Sequence, residues 1–286
     1  MEMCHTSAGR EKYTMENEKN QQEMTQQIDP KLVAVFNKLK DTEELYIIMS
    51  GCTKAPYVVC DEETFDDEIL MYLNPEAAQE KAKALLAERI PVGIAKINKQ
   101  SLLYFCSTLF TMGVNAMVVG DGETEDCIQV GDFVKRKDPN TLEEGKVWVE
   151  NPELHLTALY YMQELRRMER PVMTEQMMEW QEEISVNFSR GKFLIAIPQE
   201  EKGIPLVKSK TGDVFQPIFT DAMEFEKFNR EKQFRAIVVE AAKLAQILPA
   251  EAQGVILNPL GVNMPLNVKR NAPAGTNAAA PVNNAE

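Results

Sequence analysis

The chain runs through one order of secondary structure twice, and this repetition limits the folds open to it more than any other feature. An amphipathic helix, "PKLVAVFNKLK", opens the first pass with Leu32, Phe36 and Leu39 on one face. Strands "LYIIMS", "PYVVCD" and "EILMYL" follow, with an acidic turn between the last two. Then come helix "NPEAAQEKAKALLAER", strand "PVGIAKI", helix "SLLYFCSTLFTMG" and strand "VNAMVVG". Asn74 is placed to cap its helix and Pro75 to occupy the first helical position, where the missing N–H is not needed. The second pass repeats the order: helix "TEQMMEWQEEISVNFSRG", strands "KFLIAIP", "IPLVKSK" and "VFQPIFT", helix "DAMEFEKFNR", strand "FRAIVVE", helix "AAKLAQILP" and strand "GVILNP". Landmarks at residues 45, 76, 90 and 113 correspond to 193, 221, 234 and 254, so successive gaps differ by no more than three residues.

The fold expected from this pattern is α+β: two similar domains, each a mixed β-sheet packed with helices. Their expected bounds are 29–137 and 172–270, joined by a linker, 138–171, that carries an extra helix, "PELHLTALYYMQELRRM", bridging the two. Ala158, Met162, Leu165 and Met168 form the apolar side of that helix. The helix after it shows a stripe of Met173, Met177, Trp180, Ile184 and Phe188, which reads as a core face. The ends, 1–28 and 271–286, are too poor in apolar residues to offset the entropy of ordering and read as disordered tails.

A formal charge of −13, with no basic block, argues against nucleic acid and anionic membrane surfaces as partners. The first residues lack an apolar leader core, and no run approaches the ~18 apolar residues of a membrane span, so the chain reads as cytoplasmic. Five cysteines (Cys4, Cys52, Cys60, Cys106, Cys127), odd in number and widely spaced, fit reduced thiols.

Candidate chemistry is sparse. In "PIFTDAMEFEKF", Thr220 ends a strand and Asp221 stands three residues before Glu224, the spacing of a capping box, so Asp221 reads as a helix cap rather than a catalytic acid. The acidic stretch "CDEETFDDE", residues 60–68, holds six carboxylates and could offer oxygen ligands to a hard cation, but it lacks the spacing of a calcium loop and reads as a solvated hairpin. Cys60 sits beside carboxylates that disfavour a thiolate, and Cys106 lies in an apolar helix. Of two histidines, His5 falls in the tail and His155 near the start of the bridging helix, where it reads as a surface or interface residue. No Cys-His or Ser-His-Asp set, no zinc ligand set and no phosphate loop can be assembled, "GDGETEDC" included. No catalytic residue, metal ligand or cofactor is therefore assigned. In "GVILNPLG", Asn258 and Pro259 stop the last strand and Gly261 is read as the residue that takes the positive φ of the turn.

"KFLIAIP", "TGDVFQPIFTDAMEFEKF" and "GVILNPLG", in this order, resemble the N-terminal domain of the enhanced serine sensitivity protein B (SseB) family, over about residues 172–268. Phe219, Thr220, Asn258, Pro259 and Gly261 match the family pattern of a strand ending in Phe-Thr and a closing strand ending in Asn-Pro-x-Gly. The first pass lacks both signatures and is similar only in outline, as a diverged copy. The resemblance implies a small α+β domain with a regulatory or interaction role and brings no catalytic residues.

Two functions remain in view. One is a non-catalytic module that binds a protein or peptide partner, its repeat forming an internal pseudo-dimer or supporting a homo-oligomer, with Phe219, Thr220, Asp221, Asn258, Pro259 and Gly261 as the binding residues. The other is a metabolite sensor or enzyme with a pocket between the halves.

Overall fold

The computed structural model describes residues 29–136, 147–200, 203–209 and 211–268. The expected tails, 1–28 and 271–286, lie outside the described residues, as does the linker from 138 to 146. Helix α1 (Pro30–Asp41) is a unit of its own in which Val35 and Leu39 are buried, and the chain from Thr42 onward forms a second unit.

Within that second unit the repeat becomes two six-stranded sheets with helices. The first pass supplies β1 (Glu44–Ser50), β2 (Val58–Cys60), β3 (Asp67–Tyr72), α2 (Pro75–Ala87), β4 (Val92–Asn98), α3 (Lys99–Met112), β5 (Ala116–Gly120), β6 (Glu125–Gln129) and α4 (Val130–Phe133). Helices α5 (Pro152–Arg167) and α6 (Glu175–Arg190) lead into β7 (Lys192–Pro198), β8 (Val207–Lys208) and β9 (Val214–Phe219). Then follow α7 (Ala222–Phe228), β10 (Phe234–Glu240), α8 (Ala241–Ile247), β11 (Gly254–Leu257) and β12 (Met264–Asn267). The strand orders are β4-β1-β3-β5-β6, with β2 also on β3, and β10-β7-β9-β11-β12, with β8 also on β9. In each sheet only the β3/β5 or β9/β11 pair is parallel. The α+β class and the doubling therefore stand, down to matching registers: seven pairs from Glu44↔Asn98 to Ser50↔Val92, and seven from Lys192↔Glu240 to Pro198↔Phe234.

The reason the central strands read as continuous apolar runs is that both faces are covered. β3 and β9 have the same burial pattern, one half-buried residue followed by five buried ones, and all four residues of β11 are buried. One face of the first sheet, with Ile48, Leu70 and Tyr72, packs on Ala77, Ala78, Ala82 and Leu85 of α2. The equivalent face of the second, with Leu194, Ala196 and Phe219, packs on Phe225 of α7.

Some elements escaped the sequence pattern. β6 and β12, the antiparallel edge strands after each parallel pair, are not among the expected elements, and "IPLVKSK" contributes only the two residues of β8. The stretch "GDGETEDC" is the β5–β6 turn: Asp121 Oδ1 accepts from the N–H groups of Glu123 and Thr124, and Gly122 takes φ 98°. Helix caps were legible. The side chain of Asn74 accepts from Ala77 N, that of Thr174 from Met177 N, and α3 ends at Gly113 with φ 82°.

Helix α5 does bridge the halves. Gln163 Oε1 accepts from Val58 N at 3.1 Å and its Nε2 donates to Val58 O at 2.9 Å, like a strand partner for β2. Ahead of the helix, Asn151 Nδ2 donates to the carbonyls of Lys192 and Thr220 in the second half, both at 2.8 Å. Trp180 of α6 stacks on Tyr160 of α5, ring centroids 5.7 Å apart, Met177 and Ile184 are buried and Phe188 packs on Phe193 of β7, while Met173 is exposed, so the stripe from Met177 to Phe188 is a packing face.

Candidate functional site

The six residues singled out in the second half come together where β9 and β11 end side by side. Asp221 is the N-cap of α7: its Oδ1 accepts from Met223 N at 2.9 Å and Glu224 N at 3.0 Å. Thr220 Oγ1 donates to Asp221 Oδ2 at 2.7 Å. Asn258, one step past β11, faces Thr220 with both ends of its amide: Oδ1 accepts from Thr220 N at 3.0 Å and Nδ2 donates to Thr220 Oγ1 at 2.8 Å. The Asn258 carbonyl accepts from Gly261 N and Asn263 N, which folds "NPLGVN" into a tight loop. Phe219 lies beneath, edge-on to Phe225 at 5.5 Å.

The expected role of Gly261 needs correction. It is Asn258 that takes positive φ, 44°, with Asn263 at 54°. Gly261 is needed for a close approach instead: a Cβ there would lie 2.7 Å from Glu224 Oε2. Glu224 likewise departs from a reciprocal capping box. It is buried, its Oε1 pairs with Lys227 Nζ at 2.5 Å, and its Oε2 has no hydrogen-bond partner among the described residues.

Of the two placements open to His155, surface or interface, the structure gives the second: it is fully buried at the centre of this junction. Its Nδ1 lies 3.3 Å from Thr111 O and 3.3 Å from Thr220 Oγ1, and its Nε2 lies 3.3 Å from Asn258 Nδ2. A carbonyl can only accept, so Nδ1 carries the proton and Nε2 accepts from the Asn258 amide, which defines a neutral ring. The signal was present in the sequence: the apolar stripe Ala158, Met162, Leu165 of α5, continued back by three residues, reaches His155.

The first half builds the same corner with other residues. β3/β5 pairs Tyr72 with Gly120, and β9/β11 pairs Ile218 with Leu257, so Asn74 and Gly120 hold the positions of Asp221 and Asn258. Asn74 caps α2 and donates from Nδ2 to Asp121 O at 2.6 Å. The Thr-Asn clasp and the inward carboxylate belong to the second half, and the buried histidine comes from α5.

Burial drives the titrations here. It depresses the His155 pKa, against the pull of Glu224 and Asp221, and it raises that of Asp221, against the pull of His155. The unfolded chain protonates this imidazole near pH 6.5 and the folded chain does not. Below that pH the unfolded state holds the extra proton, so stability falls as pH falls, by at most about 1.4 kcal/mol per unit. Asp221 acts in the opposite sense: its contribution is complete below the unfolded value of 3.8 and lost as pH rises through the folded value. The urea midpoint is therefore expected to drop between pH 7 and 5 and the drop to be smaller in His155→Asn, whose amide can still serve Thr111. An equal drop in both chains would remove His155 as its source.

With His155 0% exposed, Asp221 1% and Glu224 3%, the junction has no open catalytic face. What it shows to solvent is a pocket of about 550 Å³ lined by Lys54, Lys227, Arg230, Phe228, Phe234 and Leu260. Lys54 ties the first half to its rim, N–H to Gly261 O at 2.9 Å and Nζ to Pro259 O at 3.3 Å. Asn229 shapes the other wall, its side chain bonding both N and O of Phe234.

The other candidates are inert by comparison. Cys52, Cys60, Cys106 and Cys127 are free thiols; burial raises the pKa of Cys60, ahead of its neighbouring carboxylates, and pushes Cys106 and Cys127 up to about 12. Among the described residues no group of three or more His, Cys, Asp or Glu is arranged to hold a metal ion, and no helix is long and apolar enough to cross a membrane.

No protein-family model matches the chain, and no curated protein is similar to it in sequence. Among solved structures it is similar to Tic22 from Plasmodium falciparum, at 15% identity over 73% of this chain and 84% of that one, TM-score 0.21. It is also similar to Anabaena Tic22 (protein transport), at 11% identity over 77% and 92%, TM-score 0.20. At TM-scores this low neither likeness bears on fold or function.

Proposed function

We propose that this chain is a non-catalytic, SseB-like cytoplasmic recognition protein that binds a protein or peptide partner at the pocket over the second-half junction. One observation carries this reading: the acid–base groups of the junction, His155, Asp221 and Glu224, are sealed and spent on holding it, while the surface above them sets cations beside the half-buried rings of Phe228 and Phe234 and the exposed Leu260. A pocket of this kind suits a segment that offers both carboxylates and an apolar side chain, since electrostatic complementarity directs the encounter and the apolar contact holds it.

The test uses the full chain as bait in extract of its native host. A stoichiometric partner is expected to be retained by the native chain and lost, at unchanged Tm, by Leu260→Asp and by Arg230→Glu, both exposed positions. Retention by both variants would move the surface elsewhere. A second reading has its own observation. A pocket of about 370 Å³ lies between the first sheet and helices α5 and α6, walled by Tyr57, Tyr160 and Trp180 with Arg167 and Glu62 at hand. Thermal stabilisation of the chain by a small-molecule extract, abolished by Trp180→Ala, would favour a metabolite sensor.

A further inference from the structure

The turn between β2 and β3 holds a feature that neither the fold nor the junction uses. Phe65 stands 78% exposed at its tip, with φ 60°, a left-handed conformation that a bulky residue seldom adopts. Asp61, Glu62, Glu63, Asp66, Asp67 and Glu68 surround it in sequence. The tip is tightly made. Asp61 Oδ1 accepts from Glu63 N at 2.9 Å and Thr64 N at 2.7 Å, Phe65 N donates to Asp61 O at 3.0 Å, and Asp61 N donates to Asp66 O at 2.9 Å. The side chains of Asn115 and Gln129 both donate to the Asp66 carboxylate. An exposed aromatic ring thus stands on a well-bonded turn with a left-handed backbone, flanked by the exposed carboxylates of Glu62 and Glu63 and the half-buried ones of Asp61 and Asp66.

The pocket over the second-half junction has the opposite character. Phe228 and Phe234 lie 5.6 Å apart, Leu260 is 37% exposed beside them, and Lys54 and Arg230 supply positive charge, Lys227 being paired with Glu224. Its carboxylate, Glu231, is engaged by Gln233 Nε2. Lys54 and Arg230 enter no ion pair among the described residues.

We propose that Phe65 and its carboxylates on one copy of the chain seat in the Phe228–Phe234–Leu260 pocket of the next, so that the protein joins to itself head to tail. The proposal rests on the reading of this pocket as the recognition surface and names its occupant. Both complementary surfaces belong to one chain, and the turn backbone that carries the ring is already held by its hydrogen bonds, so little backbone entropy is lost on docking. Two different patches meet, so the contact is heterologous and each chain keeps one free end of each kind.

Sedimentation velocity of the full chain tests it. The average mass is expected to rise with concentration, and to do so less at high salt, where the charges are screened. Phe65→Gly suits the left-handed backbone and leaves the fold intact, yet should weaken association about a hundredfold or more. Arg230→Glu with Lys54→Glu should do the same from the other side. Mixed together, the two variants should form a one-to-one complex that grows no further, because one keeps only the pocket and the other only the projecting ring. Association that persists in Phe65→Gly, or variants that ignore each other when mixed, would overturn the proposal. A native chain that stays monomeric yet binds a labelled peptide of residues 60–68 would also overturn it, leaving the pocket as a site for a foreign acidic, aromatic segment. A monomer that binds no such peptide would remove the self-association alone, the recognition reading then standing or falling on partner capture by the native chain against Leu260→Asp and Arg230→Glu.

Discussion

Asn258→Ala is expected to lower the stability of the chain by about 3–5 kcal/mol, and with it Tm by roughly 10 °C. Three losses add. Thr220 N–H, buried at the end of β9, loses its acceptor, and a buried donor left without a partner costs about 1–3 kcal/mol. Thr220 Oγ1 and His155 Nε2 lose the amide that donates to one and approaches the other. The backbone at φ 44° suits asparagine better than alanine, by about 1 kcal/mol. Asn258→Gly separates these terms, since it frees the backbone but restores no hydrogen bond, and should recover only about 1 kcal/mol of the loss. Urea unfolding of the three chains is the measurement, and an alanine variant within 1 kcal/mol of the native chain would mean that the clasp does not hold the junction. Asn258→Ala is therefore a poor probe of partner binding; substitutions at Leu260 and Arg230 ask that question of a folded chain.

The fold was legible because its strongest signals are local. Asn74 and Asp221 announce helix starts, Gly113 a helix end, and the apolar runs of β3, β9 and β11 announce strands covered on both faces. β6 and β12 escape the sequence pattern because edge strands need little apolar content: "EDCIQ" has two acidic residues in five and "MPLN" carries a proline, and each is a strand only through its pairing with β5 or β11. The candidate site was legible as a list of residues and not as a place. Sequence spacing brings Asp221 to a helix start and Asn258 to a strand end, but that both lie under cover and meet His155 depends on α5 crossing from far away in the chain. Gly261 shows the limit most plainly. The sequence shows the glycine but not its reason, because the carboxylate that excludes a Cβ belongs to Glu224, on another element. Phe65 was likewise read as part of a solvated hairpin, since sequence does not reveal a backbone angle.

The same dependence on distant chain makes Arg166→Met the second large effect, about 2–4 kcal/mol of stability together with a change in the order of unfolding. Arg166 Nη1 donates to Cys52 O at 2.8 Å and Val262 O at 3.1 Å, and Nη2 to Asn263 O at 2.6 Å, so one guanidinium near the end of α5 holds a loop of each half. Burial opposes its charge, depressing its pKa, and the three carbonyls compensate. Methionine keeps the length and apolar stem, so the loss reports the hydrogen bonds rather than packing. Gln163 and Lys54 still connect the halves in the variant. The tie is therefore weakened rather than cut, and the two sheets should part at different free energies. Native-state hydrogen exchange reads this directly: amides of β1, β3 and β5 should share one opening free energy with those of β7, β9 and β11 in the native chain and split from them in Arg166→Met. Exchange that stays common to both sheets would mean that α5 joins them by its packed apolar face alone, with the polar ties contributing register but little energy.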